Sequence, residues 1–327
     1  MSRRASVSRS RRGLGSIFVD YGIYTSVVLL FIIFGLFLPR AFFSLSNIRN
    51  ILISASTIGI MAVGMTFVII TANIDLSVGS AAYFAVALGV LAMKRAGLSP
   101  VVGLLIILLA AVGVGVFNGL QITRLKMVPL IATLASMGIF RGFAFQFTDA
   151  ASIYGMPPLI SRLGIGYVGN IPVAVILLLA CYLLAYYVLE KSRFGTYVYA
   201  VGGDREAAFK AGINVPRIVF LVYLLHGFFV GVSSLILCAR MDGVVPALGV
   251  GMEFDVITAV ILGGTSFSGG VGNVWGSLMG ALIITLINTA LTILNVSAFY
   301  YDIFKGSVIL LAVILDTFRQ RRLGIVT

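Results

Sequence analysis

The sequence predicts an all-α, polytopic membrane protein of about ten transmembrane helices. Three observations predict it. Mean hydropathy is +1.11. Only 10% of the 327 residues are charged, against about 25% in a soluble globular domain. Apolar runs then recur along the whole chain at the length a membrane requires, about 20 residues at about 1.5 Å of rise for some 30 Å of hydrocarbon. Lipid faces much of this apolar surface, so the core of such a chain is helix–helix packing.

Ten runs meet or approach that length: 20–38, 51–71, 76–93, 100–121, 128–147, 171–189, 217–239, 253–264, 274–294 and 302–318. The first follows a basic tail at 1–19, with Arg3, Arg4, Arg9, Arg11 and Arg12. It exceeds the apolar core of a signal peptide and no small-residue cleavage site follows, so it is read as a retained span. The second and third runs meet in a tight turn, Asn73-Ile74-Asp75-Leu76-Ser77. Asp75 is expected to cap the third span by accepting hydrogen bonds from its first amides. The alternative places Asn73, Asp75 and Ser77 along the inner mouth of a translocation pathway. Arg141 falls inside the fifth span, where it either snorkels outward or lines a polar cavity. The connection 148–170, with Pro157 and Pro158, is a loop with room for a short surface helix.

The sixth and seventh spans flank the densest mixture of acids and bases in the chain, residues 190–216. A polar island between apolar runs sits outside the bilayer because charge in hydrocarbon is costly. Within it, 202–212 reads as one short helix. Asp204 is a good N-cap, Glu206 suits the positive end and Gly212 the position after the last turn. Glu206 and Lys210 stand i,i+4 in the favourable order. Ala207, Ala208 and Ala211 give a face almost without bulk. The seventh span holds His226, the only histidine, read as a satisfied packing residue.

The eighth run is too short to span alone. It opens with Glu253 and Asp255, acids favoured at a helix N-terminus; the competing reading turns them towards a cavity entrance or an external partner. Two residues apart on a helix, they point away from one another. It then runs into Gly263, Gly264, Gly269 and Gly270, so a discontinuous or tilted helix is expected. Gly272, Gly276 and Gly280 recur every four residues and are expected to share one face of the ninth helix, letting backbones approach. Interhelical hydrogen bonding is the reading for Asn118, Gln121 and Asn288. Thr71, Thr285 and Thr289 call for no special explanation. Cys181 and Cys238 lie within apolar runs and are read as small buried hydrophobes.

Charge sets the orientation. With the N-terminus inside, the inner segments hold the basic tail, Arg124, Lys126, the polar island and the C-terminal Arg319, Arg321 and Arg322, most of the 23 Lys and Arg. By the positive-inside rule both termini and the island are cytoplasmic. A single transmembrane domain thus occupies 20–318 between basic tails at 1–19 and 319–327, which are expected to be disordered or to lie on anionic lipid headgroups. The net charge of +12 is this anchoring and not a nucleic-acid patch. No Cys/His spacing signals a metal, and no catalytic cluster appears. Neither does a G-x-x-x-x-G-K-[ST] phosphate loop, since no lysine (Lys94, Lys126, Lys191, Lys210, Lys305) follows a glycine.

Several long motifs, in order between about 44 and 316, resemble the ribose/xylose-type monosaccharide permeases of ATP-binding cassette (ABC) importers. They are Ile60 to Thr71 with Ile74 to Ser80, Thr133 to Gly142, Gly203 to Ile213, Glu253-Phe254-Asp255, Leu262 to Ser266 and Gly269 to Gly272. The resemblance implies a multi-pass permease of the bacterial inner membrane. It implies an ATP-binding subunit that holds ATP and magnesium, a periplasmic sugar-binding protein and a second permease subunit, identical or paralogous. Gly203, Asp204, Glu206, Ala207, Ala208, Ala211 and Gly212 become the coupling element that enters a cleft on the ATPase. One departure stands out: relatives carry Gly-Gly before Ile-Asp, where this chain has Ala72-Asn73. The rival reading is an ion-coupled secondary carrier, against which every acid maps near a span end.

Overall fold

The computed structural model describes residues 14–322; the basic tail at 1–19 falls mostly, and 323–327 entirely, outside them. All ten apolar runs lie on helices, which are connected by short helices and two-stranded ribbons. In order these are α1 (Leu14–Phe37), α2 (Pro39–Phe42), α3 (Leu45–Ile70), α4 (Val78–Lys94), α5 (Pro100–Thr123) and α6 (Pro129–Thr148). The connection after α6 holds β1 (Ile153–Tyr154), α7 (Pro158–Ile165), β2 (Tyr167–Val168) and β3 (Ile171–Pro172). There follow α8 (Val173–Glu190), α9 (Arg193–Gly203), α10 (Arg205–Lys210), α11 (Val215–Arg240), β4 (Gly243–Val244), α12 (Met252–Leu262), α13 (Val274–Ile293) and α14 (Ala298–Arg322). By length and composition α3, α5, α6, α8, α11 and α13 each suffice to cross a membrane, and α1 and α4 carry shorter apolar stretches.

Local chemistry sets the helix starts. Ser44, Ser99, Asn214 and Asn273 accept from amides in the first turns of α3, α5, α11 and α13. Pro100, Pro129 and Pro216 occupy first-turn positions where no amide bond is lost.

The bundle is built around α3. In its most apolar window 94% of residues are buried, against 22% for α6. A helix apolar on every face belongs in the middle, and α11, α13, α8 and α12 surround α3. Small residues allow the closest approaches. A Cβ added at Gly115 would stand 2.4 Å from the Tyr223 carbonyl oxygen, tying α5 to α11. One added at Gly280 would stand 1.8 Å from the Ala259 carbonyl oxygen, tying α13 to α12.

One end of the bundle carries α9 and α10, the other α7. At the α7 end β1 pairs antiparallel with β4, Ile153 opposite Val244. Asp242 accepts from the amides of Gly155 and Met156 at 3.1 and 2.9 Å. Ile160 of α7 is fully buried, so the expected surface helix is a cap on the bundle.

Two sequence expectations change here. The polar island holds two helices, not one: α9 runs through Gly202 and Gly203, Asp204 leaves helical geometry (φ −159°, ψ 107°) and α10 starts after it. Gly272 does not share a helix face with Gly276 and Gly280, because α13 begins only at Val274. The glycine-rich break is the loop 263–273, with Gly264, Gly269 and Gly270 at positive φ (86°, 83° and 71°), a region open to glycine. Helix α12, at 11 residues, reaches about half the hydrocarbon depth at about 1.5 Å per residue.

Candidate functional site

At the α10 end three segments lock together. Asp204 caps α10, its Oδ1 accepting from the amides of Glu206 and Ala207 at 2.9 and 3.0 Å. Lys210 and Glu206 pair at 2.7 Å, both exposed, and Gly212 follows the last turn at φ +83°. The alanines part company: Ala208 is buried, whereas Ala207 and Ala211 face outward beside Phe209, which is 70% exposed. Phe209 is thus an exposed aromatic side chain on a polar helix, which the alanine pattern alone did not disclose.

Arg205, also unforeseen, turns back into the bundle. Its Nη2 donates to the Thr71 carbonyl at 3.0 Å and to Asn73 Oδ1 at 2.9 Å. Asn73 Nδ2 in turn donates to Thr71 Oγ1 at 2.8 Å. The Ala72-Asn73 departure is therefore structural: Asn73 supplies the acceptor, while Ala72 takes φ +54°, the left-handed region that glycine enters more easily. The loop 263–273 joins the same assembly. Gly270 N donates to the Ile70 carbonyl at 2.8 Å, and a Cβ at Gly202 would stand 1.7 Å from that oxygen. The Tyr199 hydroxyl lies 2.8 Å from the Gly272 carbonyl and 3.0 Å from Glu190 Oε1, one proton between two acceptors. Burial first, then the hydrogen bond and charge of Glu190, raise this phenol well above its ordinary range.

Further along the bundle axis lies a knot of polar side chains. Asp75 does not cap α4. Its Oδ1 accepts from the amide and hydroxyl of Ser77 at 2.7 and 2.6 Å, and its Oδ2 from Asn118 Nδ2 at 3.1 Å. Asn118 Nδ2 also donates to Ser77 Oγ at 2.8 Å, and the Tyr223 hydroxyl donates to the Ile74 carbonyl at 2.9 Å. Asp75 is 3% exposed, and Ser77 and Asn118 are buried with it. His226 corrects the expectation of a satisfied packing residue. It is buried, its Nε2 stands 3.8 Å from Asp75 Oδ2, and neither ring nitrogen has a hydrogen-bond partner among the described residues.

The remaining candidates separate. Arg141 turns inward: its Nε donates to Ser80 Oγ at 3.3 Å, its guanidinium lies 5.6 Å from the Tyr83 ring centre, and it interacts electrostatically with Glu253. Glu253 is buried against α4, where a Cβ at Gly79 would stand 2.9 Å from its Oε2. Asp255 faces the opposite way and pairs with Lys305 Nζ at 2.9 Å. The two acids thus diverge, as their spacing requires. Gly263 and Gly276 press backbone to backbone, a Cβ at Gly276 standing 2.0 Å from the Gly263 oxygen. Gln121 Nε2 donates to Ser136 Oγ at 2.9 Å across α5 and α6. Among the described residues no three or more His, Cys, Asp or Glu gather as a metal site would require.

An apolar bundle with polar knots inside it, and a braced polar helix at one end, is the build of a membrane-embedded transport subunit. The family model for the branched-chain amino acid transport system permease component matches residues 47–313, and the chain belongs to that family. Similar proteins include the ribose import permease protein RbsC of Bacillus subtilis, 40% identical over 297 residues, 90% of this chain and 92% of the relative. RbsC of Haemophilus influenzae is 37% identical over 311 residues, 93% of this chain and 95% of the relative. The L-arabinose ABC transporter permease protein AraH of Azospirillum brasilense is 35% identical over 317 residues, 96% of this chain and 92% of the relative. No solved structure matches. The chain is a multi-pass membrane permease component, a transport subunit.

Proposed function

We propose that the chain is the membrane-spanning subunit of an ABC importer that brings a monosaccharide into the bacterial cell by alternating access. Ten segments cross the bilayer (α1, α3, α4, α5, α6, α8, α11, the discontinuous unit of α12 with the glycine-rich loop 263–273, α13 and α14), both termini are cytoplasmic, and the α10 end faces the cytoplasm. ATP and magnesium are held by an ATP-binding subunit that docks on α10. A periplasmic sugar-binding protein delivers substrate at the α7 end, and a second permease chain, identical or paralogous, completes the pathway. The carbohydrate assignment is supported by the ribose and arabinose named in the relatives.

The observation that carries the coupling role is the pairing of an exposed Phe209, Ala207 and Ala211 with a braced Arg205. Load applied to the outward face passes through Arg205 to the α3–α4 turn, and so to the central helix. An Ala207→Trp chain, inserted in the membrane at the normal level, is expected to lose sugar uptake by roughly tenfold or more, a coupling loss of about 1.4 kcal/mol or above. Unchanged uptake would overturn the assignment.

An ion-coupled carrier is the second reading, and the buried Asp75–His226 neighbourhood favours it, since intramembrane titratable groups serve proton relays. Uptake in vesicles separates the two. An importer needs the added ATP-binding subunit and ignores ionophores; a carrier does the reverse.

A further inference from the structure

Two helices carry polar stripes that the coupling apparatus does not use. Asn47, Asn50, Ser54 and Thr57 recur along α3, and Thr285, Asn288, Thr289 and Thr292 along α13. Residues three and four apart share a helix face, so each set is a stripe. The two stripes line one cavity of about 480 Å³, together with Arg240 of α11, Asp255 of α12 and Tyr301 of α14. All of these positions lie towards the α7 end of their helices.

The charges in its wall are already engaged. Asp255 is matched by Lys305 and by the Asn288 side chain. Arg240 Nη2 donates to Ser54 Oγ at 3.2 Å. Thr57, Thr285 and Thr292 return their protons to the carbonyls of Ile53, Ala281 and Asn288 at 3.2, 2.8 and 2.8 Å, which leaves hydroxyl lone pairs as acceptors. The Tyr301 hydroxyl donates to the Asn288 carbonyl and sets an aromatic ring in the wall. Beyond the paired charges, the lining is thus neutral amides that donate and accept and hydroxyls that accept, interleaved with Ile58, Leu237, Met252 and Ile293 and the flat ring of Tyr301. Polar side chains at membrane depth are costly against lipid, so these stripes are built to face a polar occupant. The volume falls within the range of small-molecule pockets, about 300–1,000 Å³.

We propose that this cavity is a binding site for a small uncharged polyol of monosaccharide size, whose hydroxyls pair with Asn50, Asn288 and Thr289 while its carbon face lies on Tyr301. This deepens the importer reading and rests on it for placing the cavity on the transport path.

The test uses Thr289→Cys in the full chain, in membranes, with a membrane-impermeant maleimide applied from the α7 side. The unaltered chain, whose Cys181 and Cys238 are buried, serves as background. Labelling is expected, and D-ribose, L-arabinose or D-allose should slow it. A solute at about twice its dissociation constant protects about threefold. Adding Asn288→Leu should abolish protection while labelling persists. No labelling would show that the cavity is closed to water and would overturn the site. Labelling that none of the three sugars slows, or that only gluconate slows, would overturn the neutral-polyol assignment. None of these results depends on an ATP-binding subunit, whose requirement in vesicle uptake tests the importer reading separately.

Discussion

The polar knot around Asp75 and the polar cavity beside Asp255 are made of the same parts. Each gathers one aspartate, asparagine, hydroxyls, a tyrosine and a basic side chain. The first is closed: Asp75, Asn118, Ser77 and His226 are all buried. The second stands open around about 480 Å³. Small residues make the difference. Around the knot Gly64 admits His226, and Gly115 and Gly227 let α5 and α11 touch through their backbones. Between α12 and α13 the glycines stop at Gly280, and the polar part of α13, Thr285 to Thr292, lies beyond it. Close packing around the knot and open space beside Asp255 turn one inventory of residues into a fastening in the first case and a receptacle in the second.

The difference is sharpest in stability. Asp75→Ala removes the acceptor for the Ser77 amide and for Asn118 Nδ2 at a buried site. Stranded buried donors cost roughly 1–3 kcal/mol each, so a loss on the order of 3 kcal/mol is expected in the unfolding of the detergent-solubilised chain. Thr289→Val, at the cavity wall, should change the same measurement by less than about 1 kcal/mol. Equal losses at the two sites would end the distinction between fastening and receptacle.

Arg205→Ala probes the fastening where it meets α10. Its partners are the Thr71 carbonyl and Asn73 Oδ1, and its own position is largely solvent-facing. Stability should therefore move by less than about 1 kcal/mol. Sugar moved per ATP hydrolysed, measured with the ATP-binding subunit present, should fall roughly fivefold to tenfold. A stability loss as large as that of Asp75→Ala, with coupling preserved, would make Arg205 part of the core and not a strut.

How much of this was legible in the sequence follows from the range of each interaction. The apolar runs are local, and the helices fall on them. The cap at Asp204 is equally local. Helix α9 was not separated from α10 because the break depends on the extended backbone of Asp204, which a good N-cap permits but does not announce. The closure of Asp75 with Asn118 and His226 joins residues 43 and 151 positions apart; it exists only because α3, α5 and α11 meet through glycine. The cavity is the instructive case. Thr285, Asn288, Thr289 and Thr292 form a stripe visible in the sequence, yet a threonine judged alone in a span needs no explanation. Only a second stripe across α3, facing the first, gives the set a meaning, and that pairing is tertiary.

The smallest expected effect concerns Tyr199, which fastens α9 to the glycine-rich loop. Its proton lies between Gly272 O and Glu190 Oε1, and burial followed by Glu190 raises its pKa above the ordinary value. A phenol with a raised folded pKa stabilises the fold fully below its unfolded pKa, about 10, and loses that contribution as pH climbs through the folded value. Tyr199→Phe should therefore cost about 1 kcal/mol at neutral pH. Above about pH 10 the unaltered chain should lose stability more steeply than the variant, because only it must give up a proton more readily when unfolded. The two unfolding curves, followed from about pH 8 to 11, should converge from below. Parallel curves would mean that the hydroxyl is solvated and that the loop 263–273 is held by Gly270 and Ile70 alone, which would leave the α10 end less firmly fastened than the knot beneath it.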